Sequence, residues 1–243
     1  MTTPSKSQGL HLLAEREVIL AYATTGSGKS FSVARLCQDG EEQGFNVVVI
    51  DRDRGLAKAI KEIFKGKMPQ NLEYYLVHDQ QVVYDAVDYA QKMLTDKDWL
   101  VFENLGGFWD LAQDTFSDTV FHEDAGAHAL EQRVIAQRAL DADNITDLKS
   151  AAAQTILGRI QGYGGFEGMD WVKVKSIHNR RSFDRVAFDG VYNVLSTAKA
   201  HSIDDREIKQ NKHAMFHAIG LRPEGETGQV GRHDTVIYLY TLG

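Results

Sequence analysis

The chain has 243 residues, 43% of them hydrophobic and 25% charged, with a formal net charge of −7 and a single cysteine, Cys37. That is apolar material for one large α/β domain or two small ones, and the acidic balance excludes a uniformly basic, histone-like surface while leaving local basic patches open. One cysteine rules out an internal disulfide framework, and the absence of a long apolar run or a charged-then-apolar leader points to a cytoplasmic protein without membrane contact.

Residues 1–15 read as a flexible tail, polar from Met1 to Gly9. The apolar run Val18 to Ala23 predicts a first strand, and Lys29 to about Glu42 a helix ended near Gly44. Between them lies Ala23-Thr24-Thr25-Gly26-Ser27-Gly28-Lys29-Ser30. A Gly-rich turn between strand and helix can wrap phosphate oxygens with backbone N–H groups, and the helix N-terminus adds its positive end. Lys29 would then reach the β/γ-phosphates and the Ser30 hydroxyl would bind Mg²⁺. Thr25, Gly26, Ser27, Gly28 and Phe31 complete the candidate nucleotide contacts. The pattern asks for glycine where Ala23 stands, which alanine satisfies as long as its φ stays negative.

The β-branched run Asn46 to Asp51 predicts a strand buried on both faces. Leu56, Ile60, Ile63 and Phe64 then mark a helix, Leu72 to His78 a strand, and Val83, Val87, Ala90 and Leu94 another helix. Trp99 to Phe102 is a further buried strand ending in Glu103-Asn104. From about residue 106 to 162 the pattern turns helical, an elaboration whose end is punctuated by Gly158, Gly162, Gly164, Gly165 and Gly168. Trp171 to about Phe188 is helical again. Strands are expected over Val191 to Thr197, Met215 to Leu221 and Thr235 to Leu242. Alternating strands and helices predict an α/β fold with a mainly parallel sheet.

Three acids stand at strand ends, Asp51, Asp53 and Glu103, where a phosphate loop needs its metal partner and a group to orient water. Phosphate loop, strand ending in Asp-x-Asp, and later strand Trp99-Leu-Val-Phe-Glu103 together resemble the RecA-like P-loop ATPase core. The continuation, Asn193-Val-Leu-Ser-Thr197 followed by a basic polar segment and late strands, is similar to that core too. The turn Gly220 to Gly225 and the run His233 to Leu239 resemble the small RecA-like ATPases of phages associated with single-strand annealing. The resemblance spans residues 16–243 apart from the helical elaboration.

The resemblance implies a three-layer RecA-like P-loop fold and ATP with Mg²⁺ as cofactors. It implies Asp53 as the carboxylate that activates water, Glu103 with Ser30 as the metal acids and ligand, and Thr197 as a γ-phosphate sensor. Asp and Glu are exchanged relative to the usual pattern at Asp53 and Glu103. Lys199, His201, Arg206, Lys209 and Lys212 would fall in a loop contacting single-stranded DNA, and Arg222 or Arg232 would reach a neighbouring subunit's nucleotide. Partners implied are single-stranded DNA, further copies in a ring or filament, and a single-strand-binding or annealing protein. The setting implied is recombination, annealing or replication, in the host cytoplasm for a phage-encoded member.

Alternatives stand beside this reading. Asn179 to Arg185 would suit an arginine lid of a small-molecule kinase, and the unusual acid pair would suit a non-catalytic nucleotide switch or packaging component. His213 and His217, four apart with His201 near in sequence, would suggest a metal site, but on a strand they share one edge without a third ligand; His122-Glu123-Asp124 with His128 reads as a polar loop and helix cap. Phe108, Trp109 and Phe116 read as core or subunit contact rather than base-stacking platforms.

Overall fold

The computed structural model describes residues 16–158, 166 and 168–240. The tail at 1–15, together with Gly162, Gly164, Gly165 and Leu242, lies outside them. Two compact units divide the chain: residues 1–109 with 181–243, and residues 110–180.

The first unit is built on strands β1 (Val18–Ala23), β2 (Val47–Asp51), β3 (Leu72–Leu76), β4 (Trp99–Glu103), β5 (Asn193–Ser202), β6 (Leu221–Pro223) and β7 (Thr235–Leu239). They form a seven-stranded sheet in the order β3-β2-β4-β5-β1-β7, with β6 antiparallel to the end of β5 and the other pairings parallel. Helices α1 (Lys29–Gln43) and α2 (Gly55–Ile63) pack together on one face. There Val33, Ala34 and Cys37 of α1 and Leu56, Ala59 and Ile60 of α2 enclose Val47, Val49 and Val101. Alternate strand residues turn to the opposite face, where Phe102 meets Phe108 and Phe183. Helix α3 (Gln80–Met93) contacts β2 and β3. This is the α/β architecture with a mainly parallel sheet between helical layers, in agreement with a RecA-like P-loop core. Burial pushes the Cys37 thiol up to about 12, which marks it as a core residue without reactivity.

Local sequence explains the boundaries. The Asp79 side chain accepts a hydrogen bond from the Val82 N–H and starts α3. Gly44, at φ 80°, closes α1 with its N–H on the Gly40 carbonyl. Ala23 ends β1 and is not among the residues with positive φ, so the missing glycine costs nothing at this point.

The strand expected over Met215 to Leu221 does not form. His213 (φ 57°) and Gly220 (φ 72°) bend the backbone at both ends, and Ala214–Phe216 is a 3-10 turn. Phe216 anchors that turn edge-on against Tyr22, 5.6 Å between ring centres. Only Leu221–Pro223 remains as strand β6.

The second unit holds most of α4 (Leu105–Phe121), then α5 (Ala125–Ala142), α6 (Ala151–Gly158) and α7 (Gly168–His178). The elaboration expected at about 106–162 falls largely within it. Phe116, Phe121, Phe166 and Trp171 form an aromatic cluster on which the buried His128 stacks, 3.9 Å from Phe121. Asp124 caps α5 by accepting from the Ala127 N–H. Glu123, His128 and Glu131 approach one another, and Glu123 accepts from His128 Nδ1 at 2.8 Å.

Candidate functional site

Strand register brings the chemistry together. Asp51 is paired with Glu103, and Thr197 follows the pair Phe102↔Ser196 while standing opposite Ala21. Alternation turns Asp51, Glu103 and Thr197 to the face that carries α1, at the strand ends from which the phosphate loop springs.

The loop is shaped for an anion. Gly26 and Gly28 sit at φ 84° and 88°, a left-handed backbone that any side chain would strain. Helix α1 starts at Gly28 with no side-chain cap, so its first N–H groups remain open to a ligand. Lys29 Nζ donates to the carbonyls of Ala23 and Thr24, at 3.0 and 3.1 Å, folding its side chain back over the loop. Burial lowers its affinity for its proton, with Lys199 acting in the same sense, while Glu103 and Asp53 oppose.

A cleft of about 310 Å³ opens beside the loop. Thr25, Gly26, Ser27, Gly28, Lys29, Ser30 and Phe31 line one side, with Asp53, Glu103, Asn104, Thr197 and Lys199 opposite. Ser30 Oγ donates to Glu103 Oε1 at 2.5 Å, and Thr197 Oγ1 donates to Glu103 Oε2 at 2.9 Å. A hydroxyl and a carboxylate oxygen side by side at the foot of a phosphate loop form the hard oxygen donor set that Mg²⁺ prefers. The residues present therefore fit such an ion, with Ser30 as ligand and Glu103 beside it.

The acids play different parts. Asp51 is fully buried, and its carboxylate accepts from the N–H groups of Asp53, Arg54 and Leu56 and from the Tyr74 hydroxyl. It shapes the turn that carries Asp53 forward and does not line the cleft. Asp53 does, with Oδ1 accepting from the Gly55 N–H and Oδ2 from Asn104 Nδ2.

Burial pushes the Glu103 carboxyl up from 4.5 to about 7; the Ser30 and Thr197 hydroxyls pull it down, and Asp51 and Asp53 push it further up. Between these values the folded chain binds a proton that the unfolded chain has lost. The associated stability is complete below about pH 4.5 and is lost as pH rises through 7, on the order of 3 kcal/mol at most. Thermal melts between pH 5 and 8, without nucleotide or metal, should show this decline in the wild type. In Glu103→Gln that part of the slope disappears; identical slopes in both proteins would contradict it.

Of the remaining sequence candidates, Lys199 lines the cleft itself, beside Ala23 in the β1–β5 register. His201, Arg206, Lys209 and Lys212 lie exposed farther on. Arg222 donates to Glu207 through Nε and Nη2, and Arg232 pairs with Asp184 and Glu226. Each guanidinium would have to leave these carboxylates to reach another subunit. His213 faces Glu207, whereas His217 meets the Lys212 carbonyl, so the two do not share a site. Phe108 and Phe116 are each buried, one in the first unit and one in the second.

Two site residues escape sequence reasoning. A Cβ on Gly55 would lie 3.0 Å from both Ser30 Oγ and Asp53 Oδ1 and 3.5 Å from Glu103 Oε1, so a side chain there would make the first two groups give way by a few tenths of an ångström. The other is Asn104, whose signal was its place directly after Glu103.

No family model matches the chain. No curated protein matches it either. Among the solved structures that match is one described as the ATPase domain of G40P, 9% identical, with 93% of this chain and 70% of that chain covered and a TM-score of 0.40. Likeness at that distance carries nothing about activity. No described helix is long and apolar enough to cross a membrane.

Proposed function

We propose that the chain binds ATP with Mg²⁺ at the loop Ala23–Ser30 and hydrolyses it, and that hydrolysis serves work on single-stranded DNA by an assembly of several copies. The observation that carries the ATPase reading is the convergence of Lys29, Ser30, Glu103 and Asp53 on one cleft. The uncapped N-terminus of α1 and Lys29 would hold the phosphates. A Mg²⁺ at Ser30 and Glu103 would neutralise charge on the phosphate oxygens. Asp53, two residues past the end of β2, would take the proton of the attacking water.

The DNA reading is supported by the chain beyond the cleft. Strand β5 runs on past Lys199, and between it and β6 an excursion over residues 203–220 carries the exposed Arg206, Lys209 and Lys212. Such exposed cations suit a phosphate backbone. Strand β5 joins this segment directly to Thr197, which touches Glu103. The arginine lid of a kinase finds less support: Arg181 stacks on the Tyr84 ring at 4.3 Å and Arg185 pairs with Asp88.

Phosphate release by the purified chain tests both parts. Mg²⁺-dependent ATP turnover, stimulated by single-stranded DNA and accompanied by assembly, is the expected result. Lys209→Ala with Lys212→Ala should weaken DNA binding and lower its salt slope by about 1.4, at ~0.7 for each phosphate left without its lysine. A chain that stays monomeric with ATP and DNA, and whose turnover ignores DNA, overturns the DNA part. A chain that retains ATP without releasing phosphate is a nucleotide switch instead.

A further inference from the structure

Asn104 stands between Glu103 and the first residue of α4, where asparagine ordinarily caps a helix by accepting an N–H on its side-chain oxygen. It does not do so here. Its backbone is left-handed, φ 70°, whereas a capping residue is usually extended. Its Oδ1 is buried and has no hydrogen-bond partner among the described residues. The residue is 8% exposed and lines the nucleotide cleft.

The rest of Asn104 is fixed tightly. Its N–H donates to Thr197 Oγ1 at 2.9 Å, the same hydroxyl that donates to Glu103. Its Nδ2 donates to Asp53 Oδ2 at 3.0 Å. A carboxylate only accepts, so the amide nitrogen must face Asp53 and the amide oxygen must face away. A buried acceptor without a partner, on a residue that lines a cleft of phosphate-binding groups, suits a donor brought in with the ligand.

We infer that Asn104 is the positioning residue of this site, its Nδ2 fixing the Asp53 carboxylate and its Oδ1 accepting one hydrogen of the water that attacks the γ-phosphorus. The inference rests on the ATPase reading. In the step it serves, the water oxygen bonds to the γ-phosphorus. The bond from that phosphorus to the β,γ-bridging oxygen breaks, its electron pair leaving with ADP. The water's other proton passes to Asp53, and from there to solvent. Asn104 keeps both of its own protons and holds the water at an angle set by two acceptors.

The test uses two substitutions that suit a left-handed backbone. Asn104→Gly removes the amide without straining φ, and Asn104→Asp keeps the size while replacing the donor that faces Asp53. Both should lower the single-turnover rate of ATP hydrolysis by roughly 10- to 100-fold, with ATP affinity within about threefold of wild type. In an Asp53→Asn background, Asn104→Gly should lower the rate no further, because both residues act on one water. Rates within about twofold of wild type, or losses that multiply in the double variant, overturn the inference. A matched fall in affinity and rate also overturns it, by reducing Asn104 to a structural part. If Asn104→Gly does not fold, Asn104→Asp alone decides. Wild-type chain that binds ATP and never releases phosphate overturns the ATPase reading and this inference with it, an outcome distinct from active wild type with unaffected variants.

Discussion

On the proposed ATPase reading, Asp53→Asn should lower the rate of ATP hydrolysis by ~10²–10⁴, the range lost with a general base, while ATP should still bind. The separation follows from the geometry. Among the described residues no hydrogen bond joins Asp53 to the loop Ala23–Ser30; its oxygens are held by the Gly55 N–H and by Asn104 Nδ2. Phosphate affinity therefore stays with Lys29 and the N-terminus of α1. Asparagine has the same shape, but one of its ends is a donor, and both of its neighbours donate. One of the two hydrogen bonds is lost whichever way the amide turns, a stability cost of about 1 kcal/mol. Single-turnover phosphate release beside ATP-analogue binding separates the two effects. A rate within threefold of wild type would shift the role of base to Glu103.

Phe102→Ala should cost ~3–5 kcal/mol of stability, the largest loss foreseen for a single residue. Phe102 is fully buried in β4, 4.4 Å from the Phe183 ring and 5.7 Å from Phe108, which it meets edge-on. Alanine would leave a cavity between a central strand and two helical segments that cannot collapse onto it independently. The melting temperature should fall by roughly 6–20 °C. Because Glu103 is the next residue, ATP affinity should fall at temperatures where the wild type is intact. By contrast Ile208→Ala, at an exposed position, should leave the melt unchanged. A Phe102→Ala melt within 2 °C of wild type would show that the sheet tolerates the void.

How much of this was legible in the sequence follows from how local each feature is. The phosphate loop is a spacing rule within eight residues, so Gly26, Gly28, Lys29 and Ser30 announce themselves. Buried parallel strands read as continuous β-branched runs, which placed β2 and β4 and hence the acids at their ends. Roles fixed by register were harder to read. Asp51 and Asp53 are two residues apart in one motif, yet one folds inward onto backbone N–H groups and Tyr74 while the other faces the cleft. Lys199 groups with the downstream cations along the chain, but its pairing beside Ala23 seats it at the nucleotide cleft. Asn104 was invisible because its value depends on a left-handed φ and on Asp53, brought beside it by β2–β4 pairing. The lost strand at Met215 to Leu221 failed for a similar reason: Phe216 packs against Tyr22 from a turn, while Met215 and Ile219 stay exposed instead of entering a sheet.

The position of β1 in the sheet has a consequence for how the molecule is made. Val18 pairs with Val194 and Ile19 with Thr235, so the strand that bears the phosphate loop finds both neighbours far along the chain from itself. During synthesis, β2, β3 and β4 can associate early, while β1 must wait with both edges bare. Pairing of this range is slow to close and leaves unsatisfied strand edges exposed in the interval. A nascent chain stopped before β7 would hold its phosphate loop on an unsupported strand. The phosphate loop is therefore borne by a strand whose pairing closes late, and a chaperone that shields Val18–Ala23 would act at the step most open to aggregation.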